Sequence, residues 1–240
     1  MDALGDILAP HSETIAKIAG TITTLQFLSG IAFLNSIRKK GKSDGFPPEP
    51  FIGGTVLTIL TLKLGAIMDD IHMIRTNLIG LVLNGVFMFV FYWYASKEFR
   101  TDIWKKIGIA TVITMGFLAY TNFEDPAKVE FRLSMIITTV LVWLVGSPLL
   151  QINKIIEKKS TEGMPFPIIF TGTLVAASWT LYGISIRNTA MSYQNLLLFV
   201  LSAIQLSLFA IYPSTPSEVP SKTDAATKQK KPNTPNKKKD

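Results

Sequence analysis

Two parts of this sequence are one segment written twice. The short polar turns "KSDGFP" (residues 42–47) and "STEGMP" (residues 160–165) each sit between long apolar runs, 118 residues apart. Carrying that offset outward sets Ser29 on Ser147, Asn35 on Asn153, Gly45 on Gly163 and Pro47 on Pro165. It also sets Gly54-Thr55 on Gly172-Thr173, Gly65 on Gly183, Met73 on Met191, Asn77 on Asn195 and Tyr94 on Tyr212. Over 27–94 against 145–212, 16 of 68 pairs are identical with no gap. Identity held at one spacing marks an internal repeat, so the fold must contain two copies of one unit.

Charge says what each unit is made of. Only 17% of residues are charged, against about 25% in soluble domains. The charges cluster, leaving nearly uncharged runs of about 20 residues, the length at which a helix crosses about 30 Å of hydrocarbon. The alternation of a half-buried strand is absent. The sequence therefore predicts an all-α integral membrane protein with spans at roughly 14–37, 47–68, 73–95, 103–121, 132–153, 165–187 and 191–212. After Pro213 the chain is rich in Pro, Thr and Lys with almost nothing apolar to bury, which predicts a disordered tail.

The repeat covers the first three and last three spans, and the fourth has no partner. This divides the chain into a three-helix unit (14–95), a linker helix with its loops (96–131), a second three-helix unit (132–212) and the tail (213–240). With three spans per unit and no linker, the second unit would insert upside down. One extra span restores its direction, so two parallel three-helix bundles are expected around an axis along the membrane normal. Transporters use this plan, with the substrate site at the repeat interface. Of 24 Lys and Arg, 18 fall in the loops of one side or the tail, 5 on the other side, and Lys63 lies inside a span. The basic side should be cytosolic, with the N-terminus extracellular or lumenal.

The same topology accounts for the net charge of +7, so no nucleic-acid partner is expected. No cysteine is present, which excludes a disulfide scaffold, a thiolate metal site and a thiol nucleophile. The N-terminus lacks a basic region followed by an apolar one, so the first span is expected to serve as its own insertion signal. His11 lies before the first span and His72 in an outer loop, and no carboxylate pair is placed for catalysis or metal binding, so no enzyme, metal or cofactor is expected.

Asn77 and Asn195 hold equivalent places in the third and seventh spans. An unpartnered amide in hydrocarbon costs about 2–7 kcal/mol, so each needs a neighbouring helix or a polar ligand. Two donors and an acceptor oxygen suit a hydroxyl that both gives and takes a hydrogen bond, and two symmetry-related amides would converge at the interface. Trp179 lies about 12 Å from the outer end of its span at 1.5 Å per residue. Its flat apolar face can stack on the C–H face of a sugar ring, or pack against a helix. Lys63 can snorkel toward Asp69 or Asp70, and a part in proton coupling is an alternative.

Several motifs occur in order: "QFLSG", "EDPAKVEFRLS", "GSPL", "KKSTEGMPFP" and "SWTLYG". Together with the three-plus-one-plus-three plan, this set resembles the SWEET sugar transporters, the MtN3/saliva family, above all their insect and other animal members. The resemblance implies uncoupled, facilitated movement of mono- or disaccharides by alternating access, in the plasma membrane or an endomembrane such as the Golgi, and homo-oligomers in the bilayer. It implies that Asn77 and Asn195 line the sugar site with Trp179. Each unit of the family supplies such a Trp, but here the first unit has Thr61, which widens or alters the pocket. Pro47, Pro148 and Pro165 match three of four hinge prolines, and Gly30 stands at the fourth. At Pro47 and Pro165 a simple helix start is the competing reading. Tyr182 matches a residue that closes the outer side against an acid on the next loop, where this chain has the neutral Asn188.

Two rival readings are weaker. A seven-helix receptor would carry Asp/Glu-Arg-Tyr after its third span and Asn-Pro-x-x-Tyr in its seventh, and neither occurs. A proton-coupled PQ-loop carrier of other small solutes is related in fold, but the chain has no Pro-Gln dipeptide.

Overall fold

The computed structural model describes residues 2–146, 149, 152–161, 164 and 166–212. Among them the chain is helical, with no strand. The helices are α1 (Asp2–Leu8), α2 (Ser12–Leu28), α3 (Gly30–Lys40), α4 (Glu49–Ile67), α5 (Ile71–Trp93), α6 (Lys97–Phe123), α7 (Val129–Gly146), α8 (Ile152–Lys158), α9 (Phe166–Ser185) and α10 (Thr189–Ile211). Seven segments among the described residues are long and apolar enough to cross a membrane, as the hydropathy pattern predicts.

The helix ends follow their local chemistry. The Asp70 carboxylate accepts from the backbone N–H groups of His72 and Met73 and caps α5. At the equivalent place in the second unit, the Asn188 side chain accepts from Met191 N and caps α10. Ser96 caps α6 through Phe99 N. Its extended backbone lets α6 begin six residues before the apolar run, so the basic stretch 97–106 is helical. Gly41, at φ 72°, ends α3 in the left-handed conformation that glycine adopts without strain.

The first span departs most from expectation. Helical structure begins at Asp2, twelve residues early, and the segment divides at Ser29 into α2 and α3. Pro10 sits at the start of a one-turn 3-10 segment, where its missing N–H costs nothing. Helix α1 then packs along α9: a Cβ on Gly5 would lie 3.4 Å from the Ile184 carbonyl, and Asp6 pairs with Arg187.

Two apolar clusters hold the helices together. One crosses between the units: Ala16 and Ala19 of α2, Leu60 and Leu64 of α4, Leu133 and Ile137 of α7, and Trp179 and Tyr182 of α9 are all buried in it. Helix α2 packs on α9, and α4 on α7. The other lies at the basic end and belongs to the first unit and linker: Ile37, Phe51, Phe87, Phe91, Ala95 and Ile103. Outward-facing Val82, Phe89, Val112, Phe123 and Trp143 are exposed, as expected of surfaces that meet lipid rather than water.

Candidate functional site

Between the two units lies a cavity of about 130 Å³ lined by fourteen residues from α2, α4 and its end, α5, α7, α9 and α10. Ten of these are five pairs at the 118-residue offset: Thr23 with Leu141, Thr61 with Trp179, Met73 with Met191, Thr76 with Gln194, and Asn77 with Asn195. Walls related in this way place the cavity on the axis of the repeat. Linker α6 contributes nothing to it.

The two asparagines do the same thing on their own helices. Asn77 Nδ2 donates to the Met73 carbonyl at 3.0 Å, and Asn195 Nδ2 to the Met191 carbonyl at 2.9 Å. Each spends one N–H on the helix turn below. The second N–H and the amide oxygen make no hydrogen bond among the described residues, and both side chains line the cavity. Such a pair can hold a ligand hydroxyl from opposite sides, one group donating and the other accepting.

The two walls differ in chemistry. The first unit presents Thr23, Thr61 and Thr76 beside Leu64, Met68 and Met73; the second presents Trp179, Ile137, Leu141 and Met191 beside Ser134 and Gln194. Thr61 donates to the Leu57 carbonyl at 2.8 Å, so its hydroxyl keeps acceptor capacity. Trp179 is 8% exposed. Its Nε1 donates to Thr23 Oγ1 at 2.9 Å, and its ring meets Tyr182 edge-on at 5.5 Å. Gln194 is held from α7, where Thr138 Oγ1 donates to its Oε1 at 2.8 Å.

Away from the basic end, Tyr182 of the second unit lies near Asp70 of the first. The second oxygen of Asp70 is buried with no hydrogen-bond partner among the described residues, and the His72 ring lies edge-on to Tyr182 at 6.2 Å. Asn188 is committed elsewhere: it donates to Glu130 Oε1 at 2.8 Å while capping α10. The acid facing Tyr182 is thus in the first unit, not on the loop that follows it in sequence. The offset maps Asp70 to Asn188 and Leu64 to Tyr182, so this tyrosine–acid pair occurs on one side of the axis only.

The remaining predicted residues separate. Gly30 opens α3 directly after the division at Ser29, and a Cβ there would lie 2.6 Å from Phe87 Cε2. Pro47 lies in the turn before α4, exposed and outside the helix. Pro148 and Pro165 fall outside the described residues. Lys63 makes no ion pair with Asp69 or Asp70, because Asp70 is turned inward as a helix cap. Sequence reading missed Thr23, Thr76, Ser134 and Gln194. Only Met73 and Met191 carried a signal, as an identical pair one helical turn from the asparagines.

Comparison with known proteins decides the family. Residues 13–99 and 131–217 each match the sequence pattern of the MtN3/saliva family, described as "Sugar efflux transporter for intercellular exchange". The chain belongs to the SWEET family. Its two matched segments are themselves 118 residues apart. "Sugar transporter SWEET1" of Drosophila pseudoobscura pseudoobscura is 28% identical over 84% of this chain and 89% of its own length. "Bidirectional sugar transporter SWEET2b" of Oryza sativa subsp. japonica is 29% identical over 88% and 93%. A solved eukaryotic SWEET transporter superposes with a TM-score of 0.76 over 87% of this chain and all of that one, at 23% identity, so the SWEET fold is shared.

Proposed function

We propose that this SWEET protein is an uncoupled sugar carrier working by alternating access, with the sugar held between Asn77 and Asn195 and stacked on Trp179. The observation that carries the reading is the cavity on the repeat axis, into which both asparagines project the amide atoms their helices leave free. At about 130 Å³ the cavity is below the range of roughly 300–1,000 Å³ typical of drug-sized ligands, which favours a single sugar ring over two. Family relatives bear the names of sugar transporters.

The packing supports an inward-facing state. Among the described residues the units interlock at the end away from the basic loops, through α2 on α9 and α4 on α7, while the apolar cluster at the basic end holds residues of the first unit and linker. Tyr182 and Asp70 form the outer closure, and Gly30 with Pro148 serves the bending of the first and fifth spans. The basic end is cytosolic and the N-terminus lies across the membrane, by the distribution of Lys and Arg. The protein works in the plasma membrane or an endomembrane, as a homo-oligomer.

Flux of labelled glucose, trehalose and sucrose into proteoliposomes tests this. Downhill glucose flux, unaffected by a pH gradient, is expected. Asn77→Ala and Asn195→Ala should each reduce it at least tenfold, about 1.4 kcal/mol, with membrane insertion unchanged. Flux that survives both changes would overturn the site. Flux only under a pH gradient would favour a proton-coupled carrier.

A further inference from the structure

Thr23 belongs to no motif of the sequence, yet it makes a side-chain hydrogen bond that joins the two units inside the cavity. Its Oγ1 accepts from Trp179 Nε1 at 2.9 Å and donates its own proton to the Ala19 carbonyl at 2.8 Å. The second bond fixes the hydroxyl. With its proton committed to the helix, a lone pair is aimed at the indole N–H. Ala19 is fully buried between the units, so this turn of α2 cannot rotate. The indole is thus held at two points, by Thr23 at the N–H and by Tyr182 at the ring. Tyr182 in turn stands beside Asp70 of the first unit. The order Thr23, Trp179, Tyr182, Asp70 runs from the first unit into the second and back, from the cavity to the closed end.

We infer that Thr23 is the positioning residue for Trp179: it sets the angle of the sugar-stacking ring, and only while α2 and α9 are packed together. The position equivalent to Thr23 is Leu141, which cannot accept a hydrogen bond, and the position equivalent to Trp179 is Thr61. The chain therefore has one aromatic wall and one acceptor, matched to each other across the axis. Opening the outer end must part α2 from α9 and break this bond. The ring is held in the closed-outside state and released in the other, so the orientation of the stacking surface reports which side is open. This rests on the proposed sugar site for its functional meaning, but the bond can be tested without sugar.

The experiment has two arms. In the first, the indole N–H resonance of Trp179, assigned by its loss in Trp179→Phe, is followed in ¹H–¹⁵N spectra of the full chain in nanodiscs. Thr23→Val, which keeps the shape but removes the acceptor, should move that resonance upfield, and Thr23→Ser should leave it in place. No movement in Thr23→Val would overturn the inference whatever the protein transports. In the second arm, glucose flux is measured for the same variants. Thr23→Val should raise KM about five- to tenfold, the effect of one lost neutral hydrogen bond and a stranded buried donor. Thr23→Ser should restore most of it. In a Trp179→Phe background, where the N–H is already gone, Thr23→Val should add no more than about twofold. Equal losses in both backgrounds would make Thr23 a packing residue and overturn the inference. An upfield shift in a chain that moves no sugar would leave the bond standing and sink the sugar reading.

Discussion

Thr61 and Trp179 hold symmetric places in the cavity wall and have opposite chemistry. In the proposed binding mode, a small hydroxyl on one side and an indole on the other would grip one face of a sugar ring and leave the opposite face loosely enclosed. Restoring the aromatic should tighten and slow it. In Thr61→Trp a second stacking surface enters a cavity of about 130 Å³, and an aromatic contact contributes about 0.5–1.5 kcal/mol beyond the area it buries. Glucose KM is expected to fall about two- to tenfold while maximal flux falls as well, since a tighter ground state does not speed release. Concentration-dependent uptake separates the two parameters. An unchanged KM would mean that the wall at position 61 does not touch the substrate.

Among elements, the turn after α3 shows how a short polar stretch can hold two helices. Asp44 accepts from Ser96 twice, at Oδ1 from the hydroxyl at 2.5 Å and at Oδ2 from the backbone N–H at 3.1 Å. Ser96 meanwhile caps α6. The Ser96 hydroxyl, and after it the Ser96 backbone N–H, hold the Asp44 carboxyl below its ordinary range. A depressed folded value means that the interaction contributes fully above the unfolded value, about 3.9, and is lost as pH falls through the lower folded one. Thermal melts of the purified protein should therefore show Asp44→Asn less stable than the native chain near pH 7. The gap should close as the pH is brought down below the unfolded value and through the lower folded one. A gap that is constant across that range would show that charge on Asp44 plays no part. The same turn in the second unit reaches its own third helix through Thr161 Oγ1, which donates to the Tyr212 carbonyl at 3.3 Å.

Across the whole molecule, the absence of cysteine offers a direct test of the inward-facing state. A single cysteine placed at Thr61 lines the cavity. It should react with a membrane-impermeant thiol reagent applied from the basic side several times faster than from the other, as read by mass shift in oriented vesicles. Equal rates from both sides would contradict a closure made by the α2–α9 and α4–α7 packing. Much of this architecture was legible in the residues alone. Seven apolar runs became seven spans because length and lack of charge leave helical backbone little choice in hydrocarbon, and the fixed offset brought Asn77 and Asn195 to one cavity. What was not legible depends on which surfaces meet. Thr23 gains meaning only when α2 lies against α9, and Asp70 faces Tyr182 only across the axis, where sequence spacing carries no information. The early start at Asp2 was hidden because α1 is held by α9 and not by its own apolar content.

The seating of α6 bears on how such a carrier moves. Among the described residues the linker touches both halves: its Ile103 lies in the cluster of the first unit, while its Phe117 and Leu118 pack on the cluster shared between the units and its Glu124 pairs with Arg132 of α7. A helix seated on both partners couples them, so neither half is free to swing without drawing on the other.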